Sequence, residues 1–504
     1  MKSTNVHKRD SPSPGRTIDV ECMDLDRDGK GLARWNGWVI VVPDLLPGET
    51  AKVQLQQRQR SRWLSRRLEL IRPSPARRRP PCILSSDCGG CTLQSLDDRD
   101  QSSWKSDQLV ETMQRIGGFN VQPESLLDEP QRSVGYRNRA LIPLKRGRDG
   151  RLKAGYFRSR SHRIVNLNHC PVLDPRLDAL ISPIKQDLDL GGWPADHDLI
   201  DATGLRHLGL RIAHHSGDIL ITLVSSHDQL PGIRAQAQRW LHRWDSVKGI
   251  CLNLQPQANN LVLGRETRCL AGVETILERF CGLDLALSST TFFQVNTPQA
   301  ERVVHVLCQW LTANLSRATV VDAYCGIGTI SLPLAREGFR VVGLELNAGS
   351  VEQARRNALR NGLSGQCRFR SGDVADLLRN DLPDCEALVV DPPRRGLEER
   401  VVRTILDDPP DFLAYLSCDP ATLARDLKAL LAPSGPYLLD RVQPVDFFPQ
   451  TTHLETLVLL HRLNSGVQPE MTSARQLAPC HGPAGSSRPS ASDLYLDSAV
   501  ERPD

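Results

Sequence analysis

The N-terminal part of the chain alternates between hydrophobic and polar positions with a period of two, which is the period of a β-strand with one buried face. Residues 17–22 and 48–55 follow this alternation, and residues 38–42 form a β-branched run that ends at Pro43. About five short strands fit between residues 16 and 72. The pattern favours a small β-barrel of the oligonucleotide-binding type.

From about residue 301 onward, helical periodicity alternates with short apolar runs. Strands that alternate with helices in this way predict a doubly wound parallel sheet in an α/β fold. The predicted strands are at residues 319–321, 340–345, 387–390 and 414–417, and the predicted helices are at residues 302–315, 330–336 and 354–361.

These patterns divide the chain into five segments. Residues 1–15 are polar, and residues 463–504 are rich in Pro, Ser and Ala without periodicity, so both are predicted to be disordered tails. Between them we expect the barrel at residues 16–74, a central α+β domain at residues 80–300 and the α/β domain at residues 301–462.

The composition is that of a globular protein that needs no membrane. Hydrophobic residues make up 40% and charged residues 24% of the chain, which is typical of soluble domains. No apolar run approaches the ~20 residues that span a bilayer, and the polar residues after Met1 do not form a signal peptide. We therefore expect a cytoplasmic monomer, in which fourteen cysteines indicate metal binding or catalysis rather than disulfides.

The net charge is only +4, but basic residues are concentrated in one run. From Arg58 to Arg79 there are nine arginines and a single acid. Trp63 lies inside this run and Trp35 and Trp38 lie nearby, so the segment combines phosphate-binding cations with stacking surfaces. It predicts RNA contact, against the alternative of a solvated charged edge. A second basic stretch comprises residues 136–139, Arg158, Arg160 and Arg163.

A glycine-containing loop, Asp-Ala-Tyr-Cys-Gly-Ile-Gly-Thr at residues 322–329, follows a predicted strand. Gly326 and Gly328 lack side chains and let the backbone approach a ligand. Glu345, at the end of the next strand, can accept hydrogen bonds from ribose hydroxyls. Because the full G-x-G-x-x-G pattern is absent, S-adenosylmethionine is favoured over a pyrophosphate dinucleotide. Without Glu345 the loop would be weak evidence, because an ordinary strand–helix turn is the alternative.

A thiol and a carboxylate are expected beside this loop. Cys418 follows the apolar run at residues 412–416, Asp391 ends the neighbouring strand, and strand carboxyl ends in such a sheet face the ligand crevice. A thiolate there can add to C6 of uracil and make C5 nucleophilic toward a sulfonium methyl group. C5 must then lose its proton, and Glu455, which precedes the last apolar strand, can accept it. Taken alone, Cys418 could be an inert packed thiol and Glu455 a solvated acid.

Four cysteines in the predicted central domain form a metal-binding pattern. Cys88 and Cys91 flank a pair of glycines, Cys82 lies six residues upstream, and Cys170 precedes a proline. Four thiolates suit an iron–sulfur cluster or a four-cysteine zinc site. The paired glycines and the proline favour the iron–sulfur cluster.

Together these motifs resemble the bacterial S-adenosylmethionine-dependent RNA (uracil-5-)methyltransferases. The resemblance covers about residues 16–462 and is greatest to the branch that acts on 23S ribosomal RNA, which carries a TRAM domain and a [4Fe-4S] cluster. It is carried by the cysteine pattern, Phe-Phe-Gln-Val-Asn at residues 292–296, the loop at residues 322–329, Asp-Pro-Pro-Arg at residues 391–394, Ser-Cys-Asp-Pro-Ala-Thr-Leu-Ala-Arg-Asp at residues 417–426 and His-Leu-Glu at residues 453–455.

The resemblance implies a class I methyltransferase fold in the C-terminal domain and a TRAM domain in the barrel. It implies that Cys418 is the nucleophile and Glu455 the base in the formation of 5-methyluridine in 23S ribosomal RNA. Thr329 stands where some relatives carry an asparagine. The implied cluster ligands are Cys82, Cys88, Cys91 and Cys170, and the implied cofactor site comprises Gln294, Tyr324, Thr329, Glu345, Asp373 and Asp391.

Three other functions stay open at this point. Transfer RNA could be the substrate, although the transfer-RNA branch of the family lacks the TRAM domain and the cluster. The Asp-Pro-Pro turn also resembles that of amino-group methyltransferases, but their chemistry needs no thiol, so Cys418 and Glu455 argue against it. A non-catalytic RNA-binding or ribosome assembly factor would be expected to have lost the nucleophile or the cofactor loop, and both are present.

Overall fold

The computed structural model describes residues 12–129, 133–159 and 161–463. Most of the two predicted tails, and Arg160 of the second basic stretch, lie outside these ranges. Within them the strands form a closed barrel, a six-stranded sheet, a two-stranded hairpin and a seven-stranded sheet. No helix in the described ranges combines the length and the apolar character that crossing a bilayer requires.

The N-terminal barrel closes around the alternate residues that its sequence pattern predicts. Along the first strand Ile18, Val20 and Cys22 point inward, and the residues between them are exposed. Trp63 is also part of this core, at 5% exposure, so the expectation that its ring can stack on RNA is wrong. The strands are β1 (Thr17–Leu25), β2 (Gly31–Trp35), β3 (Trp38–Val42), β4 (Thr50–Gln59) and β5 (Arg62–Arg72), in the order β1-β2-β3-β5-β4.

The central sheet has one apolar face and one polar face. Helices α2 (Pro175–Leu190) and α3 (Ile233–Arg243) contribute to the core on the apolar face. On the other face, Arg211 and Arg139 lie opposite each other in the register of two neighbouring antiparallel strands. The strands are β6 (Arg139–Arg146), β7 (Leu152–Ala154), β8 (Leu205–Ile212), β9 (Ile219–Ser225), β10 (Val247–Leu254) and β11 (Glu266–Gly272), in the order β11-β10-β9-β8-β6-β7.

The seven-stranded sheet is doubly wound, as the sequence predicts. Its strands are β14 (Thr319–Ala323), β15 (Arg340–Glu345), β16 (Cys367–Ser371), β17 (Ala387–Val390), β18 (Phe412–Ser417), β19 (Tyr437–Val445) and β20 (Glu455–Arg462), in the order β16-β15-β14-β17-β18-β20-β19. The first five strands in this order are parallel to one another, and β20 runs antiparallel to both of its neighbours. Glu455 is the first residue of β20 rather than a residue before the strand.

Helices cover both faces of this sheet. The hairpin of β12 (Thr275–Phe280) and β13 (Leu283–Ser288) shares a core with one face. The helices are α4 (Thr297–Asn314), α5 (Ser331–Arg336), α6 (Ala348–Arg360), α7 (Val374–Asp381), α8 (Glu399–Asp407) and α9 (Pro420–Leu430).

An N-terminal helix also packs on the C-terminal sheet. Helix α1 (Asp98–Thr112) precedes the central sheet in the chain, yet its Leu109 lies in the core of the seven-stranded sheet. Its Lys105 is fully buried, and Nζ lies 2.8 Å from Asp446 Oδ1 and donates to the Phe448 carbonyl at 3.2 Å. This buried ion pair holds the start of the segment that joins β19 to β20.

Breaking the Lys105–Asp446 pair is expected to destabilise the fold strongly. In Lys105→Met the Asp446 carboxylate stays buried without its cation, which costs about 3–5 kcal/mol. The double variant Lys105→Met/Asp446→Asn should recover part of the loss because the uncompensated charge is gone. Urea denaturation curves measure the effect, with Lys428→Met, at an exposed position of α9, as the control. Equal midpoints for Lys105→Met and Lys428→Met would contradict the prediction.

Candidate active site

The crevice at the carboxyl end of the seven-stranded sheet lies where the strand order reverses. β14 pairs with β15 on one side and with β17 on the other, and ligands of open α/β sheets bind at such a point. The loop after β14 turns back on itself, with Tyr324 and Gly326 at φ angles of 68° and 54°. A Cβ atom added to Gly326 would meet nothing within 4 Å. The loop therefore leaves open space for a ligand above its backbone.

Glu345 is held at the rim of this crevice by two backbone amides. Its Oε2 accepts from Gly326 N at 3.1 Å and its Oε1 accepts from Asn347 N at 2.8 Å. A carboxylate fixed in this orientation can still accept hydrogen bonds from ribose hydroxyls through its remaining lone pairs. The predicted partnership between the glycine loop and the acid at the end of β15 is present in the structure.

The other predicted cofactor residues approach from different elements. Thr329 ends the glycine loop and is half-buried. Asp373 caps α7 by accepting from Ala375 N at 2.9 Å, and its other oxygen lies 3.2 Å from Arg400. Gln294 is held from the central domain, because its carbonyl accepts from Asn138 Nδ2 at 2.9 Å.

Two acids beneath the loop carry raised pKa values. Asp322 is buried, its Oδ2 accepts from the Ser331 hydroxyl, and its Oδ1 has no hydrogen-bond partner among the described residues. Burial, together with a smaller contribution from the charge of Glu345, raises the pKa of Asp322 to about 7. Burial likewise raises the pKa of Asp391 to about 7, with a further contribution from Asp322. Asp322 had no predicted role. Its signal in the sequence is an acid that interrupts a buried apolar strand, because a carboxyl group is costly to bury.

Cys418 and Glu455 leave the sheet together. Ser417 of β18 pairs with Thr456 of β20, so the next antiparallel pair of positions is Cys418 and Glu455. Asp419 then caps α9 by accepting from Ala421 N at 2.8 Å, which fixes the turn that carries the thiol. The structure thus brings together the two residues predicted to act as nucleophile and base.

Burial and neighbouring negative charges raise the proton affinity of both the thiol and the carboxylate. The pKa of Cys418 is raised to about 12. Burial is the largest cause, and the negative charges of Glu455 and Asp391 are the next largest. Burial raises the pKa of Glu455 to about 8, again with a contribution from Asp391. Arg394 opposes both shifts, because its positive charge favours the anionic forms. At neutral pH the unliganded site therefore holds a neutral thiol and a mostly protonated Glu455.

The loop that carries Arg394 is held by a carboxylate of helix α9. Asp426 Oδ2 accepts from Leu397 N at 2.8 Å and from the Tyr415 hydroxyl at 2.7 Å. Arg425 binds the same loop through the Arg395 carbonyl at 3.0 Å. These contacts join the Asp-Pro-Pro-Arg turn to the segment after Cys418, which explains why the two motifs occur together. The sequence alone did not indicate this structural role of Arg425 and Asp426.

The four cysteines of the predicted metal site are electrostatic neighbours. Burial raises the pKa of Cys91 to about 12, with contributions from the charges of Cys170 and then Cys88. Cys170 is affected in the same way by Cys88 and Cys82, and its pKa is about 11. In the described chain, no three of these sulfurs lie within 4.8 Å of one another, whereas thiolates on a single zinc ion would be about 3.8 Å apart. The thiols thus form no compact single-ion site.

The comparisons with known proteins agree on one family. The family described as tRNA (Uracil-5-)-methyltransferase matches residues 366–463, a methyltransferase domain matches residues 320–389 and a TRAM domain matches residues 13–61. An uncharacterized RNA methyltransferase of Parasynechococcus marenigrum is 62% identical over 92% of this chain and 100% of its own length. Another, from Synechocystis, is 42% identical over 89% of this chain and 96% of its own.

A solved structure extends the similarity to three dimensions. The Pyrococcus abyssi tRNA (uracil-54, C5)-methyltransferase, in complex with S-adenosyl-L-homocysteine, is 26% identical, with a TM-score of 0.70 over 88% of this chain and 99% of its own. The chain belongs to the RNA (uracil-5-)methyltransferase family. It is an S-adenosylmethionine-dependent enzyme that acts on uracil in RNA, and its fold is the class I methyltransferase sheet with a TRAM barrel.

Much of the basic surface expected to bind RNA in this methyltransferase is used inside the protein. The predicted second basic stretch makes internal contacts, because the Tyr136 hydroxyl donates to the Pro449 carbonyl at 3.1 Å and Arg139 donates to the Ser289 carbonyl at 3.1 Å. In the first run, Arg77 forms an ion pair with the buried Glu49. Tyr136 is buried and Arg139 and Arg77 are half-buried, so these internal contacts engage polar groups that were expected at the RNA-binding surface. RNA contact by the two basic stretches stays a prediction. The exposed arginines of the two stretches include Arg60, Arg66, Arg79, Arg158 and Arg163.

The raised pKa of Glu455 predicts how the stability of this methyltransferase depends on pH. Between its ordinary value of 4.5 and about 8, the unfolded chain is ionised at this residue while the folded chain keeps the proton. The unfolded state then binds fewer protons, so stability falls as pH rises through this window.

The variant Glu455→Gln should lack this contribution. Relative to the wild type, its free energy of unfolding should increase by up to a few kcal/mol as pH rises from 4.5 to 8. Denaturation midpoints across that range measure the difference, and Glu352→Gln, at an exposed position on α6, is the control. A constant difference between wild type and Glu455→Gln would show that Glu455 is ionised in the folded protein.

Proposed function

We propose that this enzyme forms 5-methyluridine in 23S ribosomal RNA through a covalent bond between Cys418 and C6 of the target uridine. The observation that carries the mechanism is the strand pairing that puts Cys418 and Glu455 at the same end of the sheet, beside the Glu345 crevice. A nucleophile and a base at one strand end can act in turn on the same face of a ring.

The first part of the reaction is the activation of C5. The Cys418 thiol loses its proton to solvent, and the thiolate adds to C6, which breaks the C5–C6 double bond and places electron density on C5. Arg394 favours the thiolate because its charge lowers the pKa of Cys418. Bound S-adenosylmethionine supplies an electrophilic methyl group and a positively charged sulfonium. C5 would take the methyl group, so that a bond from C5 to this carbon forms while the methyl–sulfur bond breaks and its electrons leave with the sulfur of S-adenosylhomocysteine.

The second part restores the aromatic base. The Glu455 carboxylate removes the proton from C5, the C5–C6 double bond forms again, and the thiolate leaves C6. A base whose pKa is about 8 accepts a carbon-bound proton more readily than an ordinary carboxylate and is still partly ionised near neutral pH. The burial that raises the pKa of Glu455 thus serves this step.

We propose that the cofactor lies along the loop after β14. The open space at Gly326 and the fixed carboxylate of Glu345 suit the nucleoside part of S-adenosylmethionine. Tyr324, Thr329, Asp373 and Asp391 complete the cofactor site with Gln294. Phe292, which is 66% exposed although it is aromatic, offers a surface on which a base removed from its stack can pack.

Transfer RNA is the second candidate substrate. The Pyrococcus neighbour is named as an enzyme of tRNA uracil-54, and its similarity over 88% of this chain means that the fold alone does not separate the two substrates. The four-cysteine pattern and the resemblance to the ribosomal branch favour 23S ribosomal RNA. We propose that the barrel at residues 16–74 and the central domain at residues 80–300 bind this RNA, while residues 301–462 carry the chemistry.

We also propose that Cys82, Cys88, Cys91 and Cys170 hold a [4Fe-4S] cluster. Their thiols influence one another's pKa values, so they are neighbours, although no three of the four sulfurs in the described chain lie within 4.8 Å of one another. A cluster spreads its four ligands around a larger body. Bound there, it would join the loop at residues 82–91 to Cys170 and so act as a structural crosslink.

A trapping experiment tests both the mechanism and the substrate. RNA that contains 5-fluorouridine lacks a removable C5 proton, so the wild type with S-adenosylmethionine should form a stable protein–RNA adduct. Cys418→Ala should form none, and Cys269→Ala, at a cysteine of β11 in the central sheet, should behave like the wild type. Normal turnover by Cys418→Ala would exclude the covalent mechanism. An adduct with transfer RNA but not with 23S fragments would exclude the ribosomal assignment alone.

Iron analysis tests the cluster. Protein purified without oxygen should be brown and contain about four irons per chain. Cys91→Ser should lose most of the iron, and Cys269→Ser should keep it. Stoichiometric zinc without visible absorption would contradict the cluster assignment.

A further inference from the structure

We propose that His162, His197 and Asp198 form a divalent-metal site beside the central sheet. Each residue offers one ligand atom, and the three atoms lie within 4.8 Å of one another. Two imidazoles and one carboxylate are a donor set that binds Zn²⁺ and related divalent transition metals and leaves coordination positions open. The set contains no thiolate, so it is chemically distinct from the four cysteines.

The side chain of His197 indicates a missing ligand. It is only 4% exposed, and neither of its ring nitrogens has a hydrogen-bond partner among the described residues. A buried polar group without a partner is costly. Its Nε2 lies 3.0 Å from Asp198 Oδ2 without hydrogen-bond geometry, whereas two donors on one tetrahedral zinc ion would be about 3.3 Å apart. A shared metal ion satisfies both groups at nearly the observed separation.

The neighbours of the site hold its ligands in place. Phe157 contacts both rings, with centroid distances of 5.1 Å to His197 and 5.7 Å to His162. The backbone of His197 is fixed on both sides, because its N–H donates to the Leu144 carbonyl at 2.9 Å and its carbonyl accepts from Arg206 at 3.1 Å.

Asp196 explains why Asp198 is left available. The Asp196 carboxylate accepts from the amides of Asp198, Ile200 and Asp201 at 3.2, 2.9 and 2.7 Å, and it lies 3.4 Å from Lys145. Asp196 therefore organises the turn, and Asp198 presents its carboxylate to His197. Ligands supported in this way are typical of metal sites.

A metal ion here would join two segments. His162 belongs to a chain segment that also carries Arg158 and Arg163, both exposed. His197 and Asp198 belong to the turn before β8. Metal binding would fix the segment that carries these arginines to the turn before β8. Both parts of this site are distant in sequence from the glycine loop at residues 322–329.

Cobalt binding tests the proposal on the full-length protein, with its iron content measured first. After removal of loosely bound metal, Co²⁺ should bind with one equivalent that shows visible d–d absorption and no thiolate charge-transfer band. His162→Ala, at an exposed ligand, should weaken this binding at least tenfold, and Asp198→Asn should do the same. His242→Ala, at an exposed histidine of α3, is the matched control and should bind like the wild type.

Limited trypsin digestion provides an independent readout. Zn²⁺ should slow cleavage after Arg158 and Arg163 in the wild type and in His242→Ala, but not in His162→Ala. Thermal melting confirms that each variant is folded before it is compared. Equal Co²⁺ affinity of the wild type and both ligand variants, absence of binding at millimolar metal, or a thiolate band that accounts for all bound cobalt would each overturn the site.

Discussion

The antiparallel pairing of β18 with β20 is the contact on which the rest of the active site depends. Its register places Ser417 opposite Thr456, and only this register brings Cys418 and Glu455 out of the sheet side by side. A slip of one residue would turn every side chain of one strand to the opposite face. Both strands are buried on both faces, so such a slip would disrupt the cores on both sides, and the catalytic geometry inherits the stability of this packing.

The same burial creates the electrostatic problem that the site must solve. It raises the pKa values of Cys418, Glu455 and Asp391 together, which suits a base but opposes a thiolate. Arg394 is the positive charge that counteracts the shifts at Cys418 and Glu455. The loop that carries it is bound by Asp426 at Leu397 N and by Arg425 at the Arg395 carbonyl. Asp426 thus connects the loop of Arg394 to β18, the strand that leads to the proposed nucleophile Cys418.

Sequence reasoning succeeded where the determining contacts are local. Strands β15 and β17 have the predicted bounds, and the strand-end positions of Glu345 and Cys418 follow from hydrophobic period alone. It failed where burial depends on distant partners. Trp63 alternates into a barrel core, Arg77 pairs with a buried acid, and Lys105 meets Asp446 across 341 positions of sequence. A charge or an aromatic ring looks the same in a sequence whether it meets solvent or a partner, so these roles needed the structure.

The segment between β19 and β20, which ends at Glu455, is anchored from outside the sheet. Lys105 of α1 holds Asp446 at its start. Further along, Gln450 is completely buried with φ at 71°, and it accepts from Arg78 at 2.8 Å and donates to Asp98 at 2.9 Å. Arg78 lies in the segment that follows the last barrel strand, so these hydrogen bonds connect the end of the barrel to the segment that leads to Glu455. The barrel that we propose to bind RNA and the carboxylate that we propose as the base are therefore linked by one continuous set of contacts, because the segment held by Gln450 leads to Glu455 at the start of β20.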